Sequence, residues 1–147
     1  MNIDFCKRTP LYIERFALFA ANEIGLDRLR GDIHFSYYPT LENDSYGLCW
    51  GDNREADIHI ASRMSDRKIA KVDKLMTVVH ELVHAKQYLK RELKGTHPEG
   101  KCMWRGSLIK YDPQCEDTAP WEVEAVSFER PVYQAWLLYK YMQNMRK

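Results

Sequence analysis

The chain has 147 residues, of which 45% are hydrophobic and 12% aromatic, and its formal net charge is +1 at pH 7. This length favours one domain, residues 1–147, with enough apolar side chains for a core. The near-zero charge gives no signal for binding to nucleic acid or to an anionic membrane. No apolar run is long enough to span a bilayer, and the first residues do not resemble a secretory signal, so we expect a cytosolic protein.

The four cysteines, Cys6, Cys49, Cys102 and Cys115, are isolated and form no CxxC pair. In a reducing compartment, cysteines with this distribution are expected to be free thiols. Two alternatives stay open: a disulfide between Cys102 and Cys115, or a second metal site that includes His97.

The first predicted elements are one helix and three short strands. The helix follows Thr9, which can cap it, has Pro10 at its first position and can end at Gly25. The strands are expected at residues 33–38, 46–50 and 57–61, where β-branched and aromatic residues cluster or alternate with period two.

A long second helix is predicted in the middle of the chain. Ser65 or Asp66 can cap its beginning, and Gly95 is the expected end, because no glycine or proline interrupts the sequence before it.

The last third of the chain predicts a hairpin, a loop and a final helix. Two short strand-like runs flank residues 105–107, and a loop over 112–119 leads to a helix from Pro120 toward Met145. Pro131 should kink or split that helix. The order helix, three strands, helix, loop and helix predicts an α+β fold.

The residues His80, Glu81, Leu82, Val83 and His84 form an HExxH pentapeptide inside the long helix. Residues four apart lie on one helix face, with Cβ atoms about 5–6 Å apart. Two imidazoles at that spacing can both reach a Zn²⁺ ion at about 2.0–2.1 Å. The glutamate beside them is placed to take a proton from a zinc-bound water.

This helix resembles the active-site helix of zincin metallopeptidases. Val78 fits their preference for Val or Thr two residues before the first histidine, whereas Lys86 stands where they usually have an apolar residue. The resemblance implies a zincin-like architecture: an N-terminal helix, a small three-stranded sheet over the HExxH helix, and a C-terminal helix that supplies a glutamate.

The third metal ligand must come from outside the pentapeptide. Metzincins would have Gly and His at positions occupied by Gln87 and Lys90, so that class is excluded. His97 lies thirteen residues after His84, and SprT-like proteases use a histidine at a comparable distance. His97 is therefore one candidate.

The stretch from Pro120 to Pro131 resembles the glutamate helix of short gluzincins, including minimal gluzincins and ImmA/IrrE-type peptidases, and of small phage-encoded HExxH proteins. Glu122, Ala125 and Phe128 match their pattern, so the resemblance implies Glu122 as the third ligand, and only this stretch indicates a phage origin.

The helix geometry of this stretch agrees with that assignment. Ala125 shares the face of Glu122, and its small side chain permits close packing of two helices. Glu124, the nearest alternative ligand, points about 200° away around the helix. Gluzincins often carry Asp or Asn four residues after the ligand, where it orients the first histidine, but here Val126 occupies that position. The partners of the histidines must therefore lie elsewhere.

These assignments predict a zinc-dependent metallopeptidase with one Zn²⁺ ion and a peptide or protein substrate. Glu81 is the expected general base. Tyr111, Tyr133 and His97 are candidates for stabilising the oxyanion. The substrate is expected to add to an edge strand formed by Asp57, Ile58, His59 and Ile60.

Two other functions stay open. The chain could be a zinc-stabilised binding or regulatory protein with a weak or latent site. It could also be a DNA-associated SprT-like protease, although the near-zero charge counts against that reading. An open coordination position that faces a cleft would favour the peptidase over the latent protein.

Overall fold

The computed structural model describes residues 1–95 and 100–147, and the predicted α+β class is confirmed. The main sheet contains strands β1 (Asn2–Phe5), β2 (Asp32–Tyr38), β3 (Gly47–Gly51) and β4 (Glu55–Ala61). The helices are α1 (Leu11–Glu23), α2 (Lys71–Leu89) and α3 (Pro120–Met145). Shorter strands are β5 (Arg63–Met64), β6 (Arg67–Lys68), β7 (Leu93–Lys94), β8 (Lys101–Trp104) and β9 (Ser107–Lys110).

The main sheet has the order β1-β2-β4-β3, so it has four strands rather than three. Strands β1, β2 and β4 are parallel, and β3 is antiparallel to β4. The sequence prediction missed β1, because a strand of only four residues gains its ladder by pairing with the distant β2.

The predicted edge strand is wrong. Asp57, Ile58, His59 and Ile60 lie in β4, which is hydrogen-bonded to β2 on one side and to β3 on the other. The period-two pattern of this run indicates which face of the strand is buried. It does not indicate whether the strand lies at the edge or in the interior of the sheet. The edge near the HExxH helix is β3.

Helix α2 packs against one face of this sheet, and α1 and α3 pack against α2. Ala56, Ile58 and Ile60 are fully buried in the main core, whereas Asp57 and His59 alternate with them toward the other face. From α2, the core receives Leu75, Val78, Val79, Leu82, Val83 and Ala85. The HExxH helix is therefore anchored along its length beneath the sheet.

The predicted helix caps are not formed. α1 begins after Pro10, and the Thr9 hydroxyl lies 3.3 Å from the Cys6 sulfur instead of capping the helix. Ser65 and Asp66 form the turn between β5 and β6, and α2 begins only after Ala70. In both cases a polar residue was available for a turn as well as for a cap.

The second helix also ends earlier than Gly95, at Leu89. Arg91 then adopts a left-handed conformation with φ 61°, which reverses the chain into β7. The predicted hairpin is confirmed as β8 and β9, joined by Arg105 and Gly106, whose φ angles of 48° and 85° are those a two-residue hairpin turn requires.

The last helix, α3, runs as one element through Pro131, so the predicted split does not occur. Near its start, Ala119 and Trp121 pack with Leu93 and Trp104 in a second, smaller hydrophobic cluster. This cluster joins the hairpin to the beginning of α3.

All four cysteines are free, which confirms the thiol prediction and excludes the Cys102–Cys115 disulfide. None of the helices in the described parts of the chain is long and apolar enough to cross a bilayer.

Candidate metal centre

The predicted ligands His80, His84 and Glu122 lie together between α2 and α3. The two Nε2 atoms of the histidines are 3.1 Å apart. The Glu122 carboxylate approaches both, with Oε2 2.9 Å from Nε2 of His80 and Oε1 3.0 Å from Nε2 of His84. Ligand atoms about 2.0–2.1 Å from one tetrahedral zinc ion are expected about 3.3–3.4 Å from one another, so the separations of 2.9, 3.0 and 3.1 Å are a few tenths of an ångström shorter. These three side chains could therefore hold a metal ion.

The other ring nitrogens of the histidines show which nitrogen carries a proton. Nδ1 of His80 lies 2.9 Å from Oε1 of Glu129, and Nδ1 of His84 lies 2.8 Å from Oε1 of Gln87. Both oxygens act as acceptors here, so each Nδ1 donates its hydrogen. In a neutral imidazole, the Nε2 atom then carries a lone pair. Both Nε2 atoms point into the space shared with Glu122.

This arrangement of electron-rich atoms requires a positive charge. Without a cation, protons must supply it. Burial alone would lower the pKa of His80, but hydrogen bonds to Glu122 and Glu129 outweigh burial and raise that pKa to about 10. Burial would raise the pKa of Glu122, but the hydrogen bonds from His80 and His84 lower it to about 2. A divalent cation can replace these protons, as metal ions do at histidine and carboxylate sites.

Glu81 lies beside the ligand cluster and is 6% exposed. Burial raises the pKa of its carboxyl above the ordinary value, although His84 and His80 oppose this shift. Within the described part of the chain, its carboxylate accepts no hydrogen bond. It lines a cavity of about 310 Å³ together with Ser45, Tyr46, Gly47, Thr77, His80 and Glu129. A buried carboxylate that faces such a cavity is suited to accept a proton from water.

Gly47 at the start of β3 lets the edge strand approach Glu81 closely. A Cβ at this position would lie 2.7 Å from Cγ2 of Thr77 and 2.9 Å from Cγ of Glu81. The edge strand therefore borders the cavity, and it does so through a residue without a side chain.

The alternative ligand Glu124 is engaged elsewhere. Its Oε1 accepts a hydrogen bond of 3.1 Å from Nε2 of Gln87, and its Oε2 accepts one of 2.6 Å from Arg105. The prediction of Glu124 as an alternative metal ligand is wrong, because its position on α3 directs its carboxylate away from the histidines and toward the hairpin. His97, the other alternative ligand, lies outside the described residues.

The two tyrosines proposed for the oxyanion belong to hydrophobic clusters. The ring of Tyr111 packs edge-on against Trp121 at 5.2 Å, and Tyr133 packs against the main core. Neither lines the cavity beside Glu81. Their role in stabilising an oxyanion stays a prediction.

Sequence reasoning missed the residues that orient the histidines, Glu129 and Gln87. Glu129 follows Glu122 by seven residues, which is two helical turns and therefore the same face. That spacing was a usable signal. Gln87 follows His84 by three residues on α2, and its spacing alone does not distinguish it from an ordinary polar residue.

Comparisons with protein-family models, with curated proteins and with solved structures find no match to this chain. The geometry of the site is therefore the basis for proposing a function.

Proposed function

We propose that this protein is a zinc-dependent peptidase. The observation that carries the proposal is the convergence of two histidine Nε2 atoms and one carboxylate beside a second, nearly buried carboxylate that lines the adjoining cavity. The first three groups are His80, His84 and Glu122, and the fourth is Glu81. Metal ligands alone are compatible with many functions, but a general base at the same cavity is what hydrolysis requires.

Zinc is the proposed ion because of the donor set. Two histidines and one glutamate are a common set for catalytic zinc, in which the fourth position is left for water or substrate. Two histidines and one carboxylate also bind iron(II) in some oxygenases. The adjacent Glu81 favours hydrolysis, since that carboxylate is not one of the three metal-binding groups and lines the cavity.

In the proposed mechanism, His80, His84 and Glu122 would hold a zinc ion, which would supply a water of lowered pKa, near about 7, and a Lewis acid for the substrate carbonyl. Glu81 accepts a proton from the attacking water and delivers it to the leaving amine. Throughout, the Nδ1–H groups of His80 and His84 donate to Oε1 of Glu129 and Oε1 of Gln87, which holds both rings in the ligating orientation.

We further propose that the peptide substrate lies along the edge strand β3. This strand is antiparallel to β4 and has no partner strand on its other side among the described residues. Main-chain groups of an edge strand can pair with an extended peptide. Gly47 brings that edge next to Glu81, so a peptide paired there would lie close to the general base.

The decisive test is Glu81→Gln, assayed against a peptide library and by metal analysis. Glutamine preserves the size of the side chain but cannot accept the proton, so cleavage should fall by about 100-fold or more. Bound zinc should remain at one ion per chain, because Glu81 is not a ligand. The matched control is Glu14→Gln on α1, which should cleave like the wild type.

Three results would contradict the proposal in different ways. Equal cleavage by Glu81→Gln and wild type would exclude this mechanism. Zinc-dependent stabilisation without cleavage of any peptide would favour a latent binding or regulatory protein. Cleavage that requires DNA and weakens with salt would favour the DNA-associated protease.

A further inference from the structure

Gln87 is an uncharged polar side chain that is completely buried beside the metal centre. Its exposed fraction is 0%. Its Oε1 lies 2.8 Å from Nδ1 of His84, and its Nε2 donates to the carbonyl oxygen of Trp121 at 3.0 Å and to Oε1 of Glu124 at 3.1 Å. Burying an amide is costly unless its groups are hydrogen-bonded, and here each side of the amide has a partner.

These partners fix which way the amide faces. The Trp121 carbonyl can only accept a hydrogen bond, so the NH₂ group of Gln87 must point toward α3. Its oxygen must then face His84, which forces the hydrogen of that imidazole onto Nδ1. A flipped amide would set its oxygen against both Trp121 and Glu124. The backbone of α3 thereby selects the tautomer of His84 that can bind a metal through Nε2.

The same amide joins the two halves of the metal centre. Trp121 immediately precedes the ligand Glu122, so its hydrogen bond to Gln87 ties the first turn of α3 to the α2 segment that carries His84. His84 and Glu122 face each other at 3.0 Å across this link. A displacement of either helix would therefore change the distance between His84 on α2 and Glu122 on α3.

The outer end of this link is held by the hairpin. Arg105, in the turn between β8 and β9, donates to Oε2 of Glu124 at 2.6 Å and to Oε2 of Glu92 at 2.6 Å. Its backbone N–H also bonds the carbonyl of Glu92 at 2.7 Å. Glu124 is thus held between Arg105 and Gln87. The bond to Arg105 fixes the Glu124 carboxylate in the position where its Oε1 accepts from the Gln87 amide.

We propose that Gln87 is a positioning residue for this site: it holds His84 in the metal-binding tautomer and sets its distance to Glu122. Arg105 supports it through Glu124. The inference rests on the proposed metal site but not on peptidase activity. Loss of a hydrogen-bond partner of a metal-bound histidine typically costs about 10–100-fold in metal affinity.

The experiment measures Co²⁺ binding by the visible absorption of the bound ion, for wild type, Gln87→Met and Arg105→Ala. Methionine fills a similar volume without hydrogen bonds. We expect Gln87→Met to weaken Co²⁺ binding by about 10–100-fold and to change the ligand-field spectrum, and Arg105→Ala to weaken it by a smaller factor. The control is Gln143→Met, at an exposed position of α3, which should bind like the wild type.

A second readout distinguishes positioning from a general structural role. In the Co²⁺ form, the Nδ1 hydrogens of both ligating histidines give shifted proton resonances. Gln87→Met should lose the His84 signal to exchange with water and keep the His80 signal, because Glu129 still accepts the His80 hydrogen.

The outcomes separate the two proposals. A wild type that binds no Co²⁺ contradicts the metal site and this inference together. A wild type that binds while Gln87→Met binds equally, with the same spectrum, contradicts only the role of Gln87. A Gln87→Met chain that does not fold without metal would also overturn the inference, since Gln87 would then be required for the fold itself.

Discussion

The two helices that supply the metal ligands are held in the molecule very differently. In α2, ten of nineteen residues are buried, so the core fixes His80 and His84. In α3, only Trp121, Ala125 and Val132 of twenty-six residues are buried. The position of Glu122 therefore depends on one face of α3, where these three residues and the partly buried Phe128, Tyr133 and Trp136 meet the main core or the smaller cluster. The α2 half of the site should tolerate changes that the α3 half does not.

The largest effect is expected from removing the ligand on α3. Glu122→Ala leaves two histidines to hold the ion, so zinc affinity should fall by more than the roughly 100-fold typical of losing a histidine's hydrogen-bond partner. The rise in Tm on adding zinc should disappear with it. Calorimetry of zinc binding and thermal unfolding check both. The control is Glu116→Ala at an exposed position, and unchanged affinity in Glu122→Ala would assign the third ligand to another residue.

The next effect tests how closely α3 must approach α2. Ala125 is fully buried one turn after Glu122, and Ala125→Leu would overfill that contact. Overpacking of this kind costs about 1–3 kcal/mol of unfolding free energy. Because α3 would move away from the histidines, zinc affinity should fall as well. Denaturant unfolding and zinc titration measure the two separately.

The matched control for that experiment is Val126→Leu, since Val126 is 52% exposed on the same helix. Its stability should stay within about 0.5 kcal/mol of the wild type. If Ala125→Leu lost stability but kept its zinc affinity, the site would tolerate movement of α3, and the contrast between the two helices would have no consequence for the metal.

The same contrast explains what the sequence could predict. The HExxH ligands share one helix, so their relation follows from helical geometry alone, and the structure brings His80 and His84 together as expected. Glu122 required a resemblance to known proteins, because nothing local relates it to histidines 42 and 38 positions earlier. The role of Gln87 could not be predicted from the sequence, since its amide donates to the backbone carbonyl of Trp121, and every residue has a backbone carbonyl.

The sheet shows the same division between local and distant information. The strand 57–61 was found from its alternation, but its interior position depends on pairing with β2, more than twenty residues away. The predicted helix caps were wrong for another reason: Thr9, Ser65 and Asp66 all lie in turns close to the predicted helix starts. A polar residue that suits a cap suits a turn equally well.

A third prediction concerns the α2 side of the cavity. Gly47→Ala would place a methyl group against Cγ2 of Thr77 and Cγ of Glu81, at 2.7 and 2.9 Å. Glu81 must then shift, so we expect turnover to fall about tenfold while zinc affinity stays near that of the wild type. Peptide cleavage and zinc titration provide the two readouts. Gly95→Ala is the control, because none of the atoms of residues 1–95 and 100–147 lies within 4 Å of its added Cβ.

The smallest effect is the number of protons released when zinc binds to the metal-free site. Since the pKa of His80 is raised from 6.5 to about 10, its stabilising contribution in the metal-free protein is fully present below pH 6.5 and is lost as pH rises toward 10. At pH 7 the imidazole is protonated, and zinc must displace that hydrogen to reach the Nε2 lone pair. Zinc binding should therefore release at least about one proton, and affinity should rise from pH 6 to pH 8. Calorimetry in two buffers with different ionisation enthalpies measures the release. Equal heats in both buffers would mean that His80 is already neutral, so that the α2 half of the site is prepared for the metal before it arrives.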